Sequence, residues 1–452
     1  MKSRVLIMVL DAFCGDMLSD RLTPNLQAFA REWTSVPAAR SVFPSETRVC
    51  ASSLTSGCWP ERHGITANYQ FLPPDGRLFN SGLPEDLREW KKRLSELAPC
   101  VPPVPNLGRA LAGAGRSLLT VAAASDGCCC LLDWNAAALG HTRLVVRTPS
   151  LCTPEGSYGN MVRDFGPVPP VREADGTYSP ALMAYTVSVL LGRIEADSPD
   201  AALCWLPEPD MAGHLFGTRS RQHDRALSVI DKQCGRVMAW WEEKGREQGW
   251  QLLFMADHGM DDAGEQRDLP EALRAAGFNT RVSEDGQAIT AVMDDSTFRI
   301  LNASSGHARL DGPCGEKPLR ALLDALKPLC HDVFLADALL QRFPVPGVRP
   351  LSGTRCSHAL GPQIRFTLAG TNGGPAAPSG SVKIGFHGGC GKREMNPLLL
   401  AGGELLRPRY ESLKPSALPD IAPTVLTMLG VPVPERMQGR VLTELFADRG
   451  IM

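Results

Sequence analysis

QLLFMADHGM (residues 251–260) places an uninterrupted apolar run, Leu252 to Ala256, directly before the pair Asp257 and His258. Such a run is typical of a strand that is buried on both faces, as in a parallel α/β sheet. In open α/β sheets the reactive groups collect where the strands end, and carboxylate and imidazole groups are ligands that suit Zn²⁺. An Asp-His pair after a strand is often an ordinary turn, so its meaning depends on the rest of the chain.

Three further segments have the same form. They are RVLIMVLDAF (4–13) with Asp11, AALCWLPEPDMAGH (201–214) with Asp210 and His214, and VKIGFHGGC (382–390) with His387. A helix that begins near Met211 would place Asp210 and His214 side by side, because residues four apart share one helix face. Each segment alone is equally well explained by a solvated strand end. Together the four ends supply three aspartates and three histidines, and this coincidence favours a metal-binding site.

The composition is that of an ordered globular protein without a general polyanion-binding surface. The 452 residues include 47 basic and 49 acidic residues and are 43% hydrophobic, which suits a large α/β core with an insertion and gives no sign of a nucleic-acid arm. The N-terminal apolar run of about seven residues lacks a cleavage site of small residues, so we interpret it as a core strand. No apolar stretch reaches the 18 residues of a membrane span. We therefore expect a cytoplasmic protein whose 14 cysteines are mostly free thiols.

The order of the segments predicts a mostly parallel sheet with helices on both faces. Strand-like runs occur at 4–10, 117–123, 201–206 and 251–256, and helical patterns occur at 24–33, 105–115 and 224–245. Strands that alternate with helices form parallel sheets. This rhythm breaks between residues 265 and 378, which lie between two presumed ligand groups. We predict a catalytic core of residues 1–264 and 379–452, with residues 265–378 inserted as a cap.

The segment SVFPSETRVCASSLTSGCWPERHGITANYQF (41–71) contains the candidate nucleophile, Thr47. The run VCASSLTSG that follows Thr47 predicts the start of a helix. A hydroxyl group there lies at the positive end of the helix dipole among free N–H groups, and a nearby dication would stabilise its alkoxide. Taken alone, Thr47 is more simply explained as an N-cap residue.

Five motifs occur in an order that is itself informative. They are Asp11, Thr47 followed by L-T-S-G and P-E-R-H-G-I, D-x-x-x-H at 210–214, D-H-G-M at 257–260 and H-G-G at 387–389. In this order they resemble the alkaline phosphatase superfamily, and within it the nucleotide pyrophosphatase/phosphodiesterase branch and its relative phosphonoacetate hydrolase. The closing stretch LPDIAPTVLTMLGVPVPERMQGRVL (418–442) also resembles the C-terminal end of that domain. The resemblance implies an alkaline-phosphatase-like α/β/α sandwich with a mostly parallel central sheet and an inserted cap.

The resemblance also implies a site with two Zn²⁺ ions, with Mn²⁺ or another divalent metal as the alternative. By position, the residues similar to the ligands of one ion are Asp11, Thr47, Asp257 and His258. Those similar to the ligands of the other ion are Asp210, His214 and His387. Thr47 is then the nucleophile, and Asn68 matches an asparagine whose amide donates to a non-bridging phosphoryl oxygen. Without the resemblance, Asn68 is equally well explained as a turn residue.

Departures from the family pattern bear on the substrate. Cys50 stands where an asparagine is common, and the stretch 121–130 lacks the lysines with which phosphonoacetate hydrolase holds a carboxylate, while Asp126 would repel one. The stretch 58–62 fits the C-x-P-x-R signature of sulfatases. It follows the L-T-S-G motif instead of preceding it, so we do not assign it as a nucleophile. Ser45 and Ser41 are weaker alternatives because neither occupies the matching position.

The expected function is a metal-dependent hydrolase of phosphodiesters or related phosphorus esters. Its partner is then a small-molecule ester, with neither a nucleic-acid polymer nor a membrane involved, and a homodimer is compatible with the sequence. Hydrolysis of the C–P bond of a small phosphonate stays open, as does, less favoured, a phosphoryl transferase or mutase. A catalytically inactive binding protein is disfavoured because all seven ligand positions carry competent residues.

The remaining histidines belong to no constellation with chemistry. We expect His63 to be structural. The others are expected on the surface or in the cap, namely His141, His223, His307, His331 and His358.

Overall fold

The computed structural model describes residues 2–72, 76–97, 104–342, 349–351, 363–370 and 375–447. Its largest elements are an eight-stranded sheet and a seven-stranded sheet, which we call the main sheet and the second sheet. None of the helices in these ranges combines the length and the apolar character that crossing a bilayer requires.

The main sheet is mixed, with a parallel centre. From one edge to the other its strands are Tyr410–Glu411, Thr34–Ser35, Leu399–Gly402, Trp250–Met255, Arg4–Leu10, Ala201–Leu206, Leu118–Ala122 and Thr142–Val145. The last five of these are mutually parallel, whereas Leu399–Gly402 runs antiparallel to its neighbour. The α/β fold with a mostly parallel central sheet is confirmed.

The central strand Arg4–Leu10 shows why these segments form a two-sided core. Its odd-numbered residues from Val5 to Val9 pack into one hydrophobic cluster, and its even-numbered residues from Leu6 to Leu10 pack into another. Both faces are therefore buried, which explains the uninterrupted apolar run in the sequence. The polar residue that ends the run, Asp11, emerges at the edge of the sheet.

Helices cover both faces of the main sheet. One face carries the helices Thr47–Ser56, Leu107–Gly113, Asp126–Leu132 and Ile421–Met428. The other carries Pro24–Glu32, Ser157–Phe165, Pro180–Asp197 and Arg221–Trp240. The consecutive cysteines at 128–130 are buried in one of these helices.

The second sheet has its own hydrophobic core. Its strand order is Asn279–Val282, Ala288–Met293, Ser296–Leu301, Ser305–Asp311, Ile364–Leu368, Cys330–Ala336 and Arg349–Leu351. The helices Leu269–Ala275 and Glu316–Leu326 pack on it through an apolar cluster separate from those of the main sheet. All seven strands lie between residues 279 and 368, within the interval where the sequence predicts an insertion.

The segment before His387 differs from the prediction that it ends a core strand like the other three. Only Gly385–Phe386 is extended, and it pairs with Asp261–Asp262 in a separate two-stranded ribbon. Two residues cannot span a core sheet, so a loop contact rather than a strand end places His387. The turn into that loop uses Gly388, whose φ of +105° favours glycine.

Candidate active site

Three neighbouring parallel strands of the main sheet deliver the acidic residues to one edge. Asp11 follows Arg4–Leu10, and Asp257 follows the adjacent strand Trp250–Met255 after one residue. Asp210 begins the helix Asp210–Phe216, which follows the strand on the other side, Ala201–Leu206. Because parallel strands end at the same edge, the three carboxylates meet although they lie far apart in the sequence.

The first group of predicted ligands surrounds the imidazole of His258. Its Nε2 lies 3.0 Å from Asp257 Oδ2 and 3.6 Å from Asp11 Oδ1. Thr47 Oγ1 lies 3.2 Å from the same nitrogen. Four side chains from three separate segments thus converge within the reach of one ion.

The second group adjoins the first. Asp210 Oδ1 lies 3.5 Å from His214 Nε2 and 3.4 Å from His387 Nε2. The rings of His258 and His387 stack with centroids 3.8 Å apart. The predicted i, i+4 pair is formed, although its helix begins at Asp210 rather than near Met211. The structure therefore brings together all seven residues that the sequence singles out as metal ligands.

Backbone carbonyl groups orient the three histidines. Nδ1 of His214 lies 2.7 Å from the Gly385 oxygen. Nδ1 of His258 lies 2.9 Å from the Gly259 oxygen, and Nδ1 of His387 lies 2.8 Å from the Ser45 oxygen. Each carbonyl accepts from an Nδ1–H group, which leaves Nε2 as the ring nitrogen that faces the aspartates. Histidines that bind metals are held in this way in proteins generally.

The aspartates keep one oxygen apiece for a ligand. Asp11 Oδ2 accepts from the indole Nε1–H of Trp205 at 3.0 Å, and Asp257 Oδ1 accepts from the backbone N–H of Ala12 at 3.2 Å. Among the described residues, the buried atoms Asp11 Oδ1, Asp210 Oδ1 and Asp257 Oδ2 have no hydrogen-bond partner. Burying carboxylate oxygens without a partner is costly, and a divalent cation fits this donor set. The residues present therefore suit a divalent metal site.

The pKa values show how strongly the clustered carboxylates attract positive charge. Burial first, and then Asp257, raises the pKa of Asp11 well above its usual range. Burial opposes the charge on His258, yet the nearby carboxylates of Asp257 and Asp11 raise its pKa to about 10. Burial, assisted by His258, lowers the pKa of His387. The carboxylates thus attract protons that a dication would displace.

Thr47 begins its helix and is not its cap. The N-cap residue is Glu46, with extended backbone, and the helix Thr47–Ser56 ends at Gly57 in the left-handed conformation. The hydroxyl group of Thr47 is therefore placed at the positive end of a helix of ten residues. Ser45 is committed elsewhere, because its Oγ donates to the Gly389 carbonyl at 3.0 Å.

Asn68 lies beside Thr47 with its amide oriented. Its Oδ1 accepts from the backbone N–H of Arg48 at 3.1 Å, and its own N–H donates to Glu46 Oε2. Since the side-chain oxygen faces Arg48, the amide NH₂ group is the part of Asn68 that can donate to a bound oxygen.

Sequence reasoning missed several polar residues around this site. Glu46 and Arg48 flank Thr47, and Arg48 donates from Nε to Ser81 Oγ at 2.9 Å. Arg365, from the second sheet, lies 3.9 Å from Glu46. Lys383 interacts electrostatically with Asp210. Adjacency to Thr47 could have marked Glu46 and Arg48, but nothing local in the sequence marks Arg365.

Cys50 and Cys58, which the sequence motifs single out, have structural roles. Cys50 is buried, and its Sγ lies 3.2 Å from Ser41 Oγ, which in turn donates to the Asp257 carbonyl at 2.7 Å. Cys58 is buried beside Arg436, whose carbonyl its Sγ approaches at 3.5 Å. Neither contacts the carboxylate cluster directly through its sulfur.

The expectation that the spare histidines lie on the surface or in the cap is wrong for two of them. His141 is buried in the main-sheet domain and contacts Asp133 Oδ2 at 2.9 Å, and His223 is buried in a helix. His307 belongs to the second sheet but is also buried. His331 is exposed on a strand of the second sheet, and His358 lies outside the described residues.

His63 is structural, as expected. Its Nε2 contacts Ser53 Oγ at 2.8 Å, and its Nδ1 accepts from the backbone N–H of Ile65 at 3.2 Å. Burial lowers the pKa of His63 to about 3.

This shift predicts a pH dependence of stability. The pKa of His63 is about 3 in the folded state and about 6.5 in the unfolded state. As the pH falls below about 6.5, the unfolded state binds a proton that the folded state does not bind. The contribution of His63 to stability is therefore complete above about pH 6.5 and is lost as the pH falls towards 3. We expect the stability difference between wild type and His63→Asn to shrink by about 1.4 kcal/mol per pH unit below about pH 6. Urea denaturation at pH 7.5 and 5.0 measures it, and a constant difference would contradict the assignment.

Comparisons with known proteins agree with the motifs. The family model described as type I phosphodiesterase/nucleotide pyrophosphatase matches residues 5–309, which is more than half of the chain. The chain is 25% identical over 272 residues to an uncharacterised pyrophosphatase/phosphodiesterase of Schizosaccharomyces pombe, covering 59% of this chain and 46% of the relative. It is 23% identical over 268 residues to a bis(5'-adenosyl)-triphosphatase of Bos taurus, covering 58% and 49%.

A venom phosphodiesterase of Naja atra is 22% identical over 266 residues, with 58% of this chain and 26% of the relative covered. The matches thus span about half or less of these relatives' lengths. Among solved structures, human ectonucleotide pyrophosphatase/phosphodiesterase 5 superposes with a TM-score of 0.65 at 16% identity, over 99% of this chain and 100% of the other. An inactive threonine-to-alanine variant of the murine protein, in complex with AMP, gives a TM-score of 0.62 at 16% identity.

The structural likeness establishes the fold, and the family model establishes the relationship. The chain therefore belongs to the type I phosphodiesterase/nucleotide pyrophosphatase family of hydrolases, within the alkaline phosphatase superfamily.

Proposed function

We propose that the protein hydrolyses phosphodiesters or related phosphorus esters, with Thr47 as the nucleophile and two Zn²⁺ ions as cofactors. The observation that carries this proposal is the position of the Thr47 hydroxyl group. It lies at a helix N-terminus, 3.2 Å from His258 Nε2, and next to buried carboxylate oxygens that have no hydrogen-bond partner among the described residues. The inactivity of the threonine-to-alanine variant of the murine neighbour supports the same assignment.

The two ligand groups described above would hold the ions. One group consists of Asp11, Thr47, Asp257 and His258, and the other of Asp210, His214 and His387. Zinc bound there would favour the alkoxide form of Thr47 and neutralise charge on the phosphoryl group. Oxygen and nitrogen donors of this kind suit Zn²⁺, and Mn²⁺ is the alternative.

The reaction proceeds in two displacements at phosphorus. Thr47 Oγ, having lost its proton, attacks phosphorus in line, the P–O bond to the leaving alcohol breaks, and that alcohol takes up a proton. A water molecule then attacks the phospho-threonine from the opposite side, releasing the phosphomonoester and restoring the Thr47 hydroxyl group. The amide NH₂ group of Asn68 donates to a non-bridging oxygen as its charge grows in each transition state.

We predict a preference for diesters over monoesters. Asn68 is a neutral donor, and the guanidinium group of Arg48 is occupied by Ser81 Oγ and the Asn68 carbonyl, so neither serves as a bidentate clamp for a dianionic phosphate. The kcat/KM for an aryl phosphodiester should exceed that for the matching aryl phosphate. Asn68→Ala should lower the diester value by about 10²-fold, the scale of removing one transition-state donor. A clear monoester preference that Asn68→Ala leaves unchanged would contradict this.

A second candidate is hydrolysis of the C–P bond of a small phosphonate that carries a carboxylate. The observation that favours it is Lys383, whose ammonium group is attracted by Asp210 and whose neighbour Ile384 donates its N–H to the His214 carbonyl at 2.8 Å. A cation there could hold the carboxylate that Asp126 would repel. Release of phosphate and acetate from phosphonoacetate, lost in Lys383→Ala, would establish this activity, and phosphodiester turnover without any phosphate from phosphonoacetate would exclude it.

A further inference from the structure

Arg365 is a cation buried far from solvent in the second sheet. Its side chain is 2% exposed, and it stands opposite His307 in the register of two antiparallel strands. Its Nη2 donates to the Thr66 carbonyl, whereas its buried Nη1 has no hydrogen-bond partner among the described residues. Burying a guanidinium group is costly unless an anion compensates it.

The anion that compensates Arg365 is Glu46. Glu46 Oε1 lies 3.9 Å from Arg365 Nη1, and the Glu46 side chain is 10% exposed. Glu46 directly precedes Thr47 in the chain and is the N-cap of the Thr47–Ser56 helix. The buried positive charge of Arg365 in the second sheet is thus paired with Glu46 of the nucleophile segment, 319 positions earlier in the chain.

The other oxygen of Glu46 continues the connection to Asn68. Glu46 Oε2 accepts from the backbone N–H of Asn68, and Asn68 Oδ1 accepts from the backbone N–H of Arg48 at 3.1 Å. Both ends of Asn68 are therefore tied to the residues that flank Thr47. A displacement of the Glu46 carboxylate would therefore loosen one of the two hydrogen bonds that hold Asn68 beside Thr47.

The loop that carries His387 meets the second sheet beside Glu46. A Cβ atom added to Gly388 would lie 2.9 Å from Ser305 Cβ and 3.2 Å from Glu46 Cγ. An aromatic contact also holds the two parts together, because the Phe43 ring lies 5.0 Å from that of Phe334 and 5.6 Å from the guanidinium carbon of Arg365. Since Arg365 contacts the Phe43 ring as well as Glu46, the kinetic tests below are what separate a positioning role from a role in docking the second sheet.

We propose that Arg365 is a positioning residue for the reaction, acting through Glu46 to hold Asn68 in register with Thr47. The second sheet then supplies part of the catalytic geometry without contacting the reacting atoms. The inference rests on the proposed roles of Thr47 and Asn68.

The first test is steady-state kinetics of Arg365→Gln with an aryl phosphodiester. Gln keeps a polar side chain with N–H donors but removes the charge that faces Glu46. We expect kcat to fall by about 10- to 100-fold, as for a small misplacement of a catalytic group, with KM changed less than about threefold and metal content unchanged. Arg365→Lys restores the charge and should recover most of kcat. The matched control is Arg299→Gln, whose side-chain partners Asp311 and Thr290 lie within the second sheet.

The second test is a double-mutant cycle with Asn68→Ala. If Arg365 acts through Asn68, Arg365→Gln should lower kcat less than about threefold once Asn68 is absent, because residues of one network are not additive. Glu46→Ala breaks the same link from its other end and supplies the cycle should Arg365→Gln not fold. A full kcat loss in the Asn68→Ala background, or an unchanged kcat in both single variants, would overturn the proposal. Thr47→Ala, assayed in parallel, decides the proposed nucleophile separately.

Discussion

Thr47→Ala is expected to lower kcat for an aryl phosphodiester by at least about 10³-fold, the scale seen when the nucleophile of a covalent catalyst is removed. Among the hydroxyl groups of its segment, that of Thr47 is the one placed 3.2 Å from His258 Nε2. The helix and the remaining six ligand side chains do not depend on it. Circular dichroism should therefore be unchanged, and most of the bound metal should be retained.

Two further variants test whether the Thr47 hydroxyl group is the nucleophile. Thr47→Ser keeps a hydroxyl group and should keep measurable turnover. Ser45→Ala removes a hydroxyl that donates to the Gly389 carbonyl and accepts from the Gly388 N–H, so its main effect should be on stability. If Thr47→Ala retained more than about a tenth of the wild-type rate, far above the losses typical of covalent catalysts, the nucleophile would lie elsewhere and Ser45 would be examined next.

Metal removal is expected to have an effect of similar size. Dialysis against a chelator should lower turnover by at least about 10³-fold, since a dinuclear site stabilises both the attacking and the leaving oxygen, and added Zn²⁺ should restore it. Elemental analysis of protein purified without chelator should find about two ions per chain, as expected for two ligand groups. One ion or fewer in fully active enzyme would contradict the two-metal proposal.

Substitution of one ligand separates the two groups. Asp210 contacts both His214 and His387 and is assigned to the second proposed group, so Asp210→Asn should retain about one ion per chain. Asp285→Asn, in an exposed turn of the second sheet, is the matched control and should retain both. Equal loss of both ions from Asp210→Asn would show that the ligand groups do not fill independently.

The edge of the main sheet was predictable because its signals are local. The apolar runs before Asp11, Asp210 and Asp257 each encode a strand buried on both faces, and parallel strands bring their ends to one edge whatever their distance in the sequence. The i, i+4 spacing of Asp210 and His214 was readable for the same reason, since one helical turn fixes it.

The position of His387 was less predictable. Its residue type and the glycines after it mark a candidate ligand, but no core strand ends there. The Ser45 carbonyl and the ribbon with Asp261–Asp262 hold it in place. Such loop contacts depend on the rest of the fold, and no periodicity in the sequence reports them.

By itself, then, the sequence determined the parallel core, because strand periodicity is a property of short segments. The order of its motifs along the chain, through the family resemblance, singled out the candidate ligands and the candidate nucleophile. Only the tertiary structure decided how charges from distant segments pair. It placed Arg365 against Glu46, buried His141 and His223 where a surface or cap position was expected, and bound the Asn68 side-chain oxygen to the Arg48 N–H. Those outcomes follow from desolvation and from packing between segments, which exist only once the chain has folded.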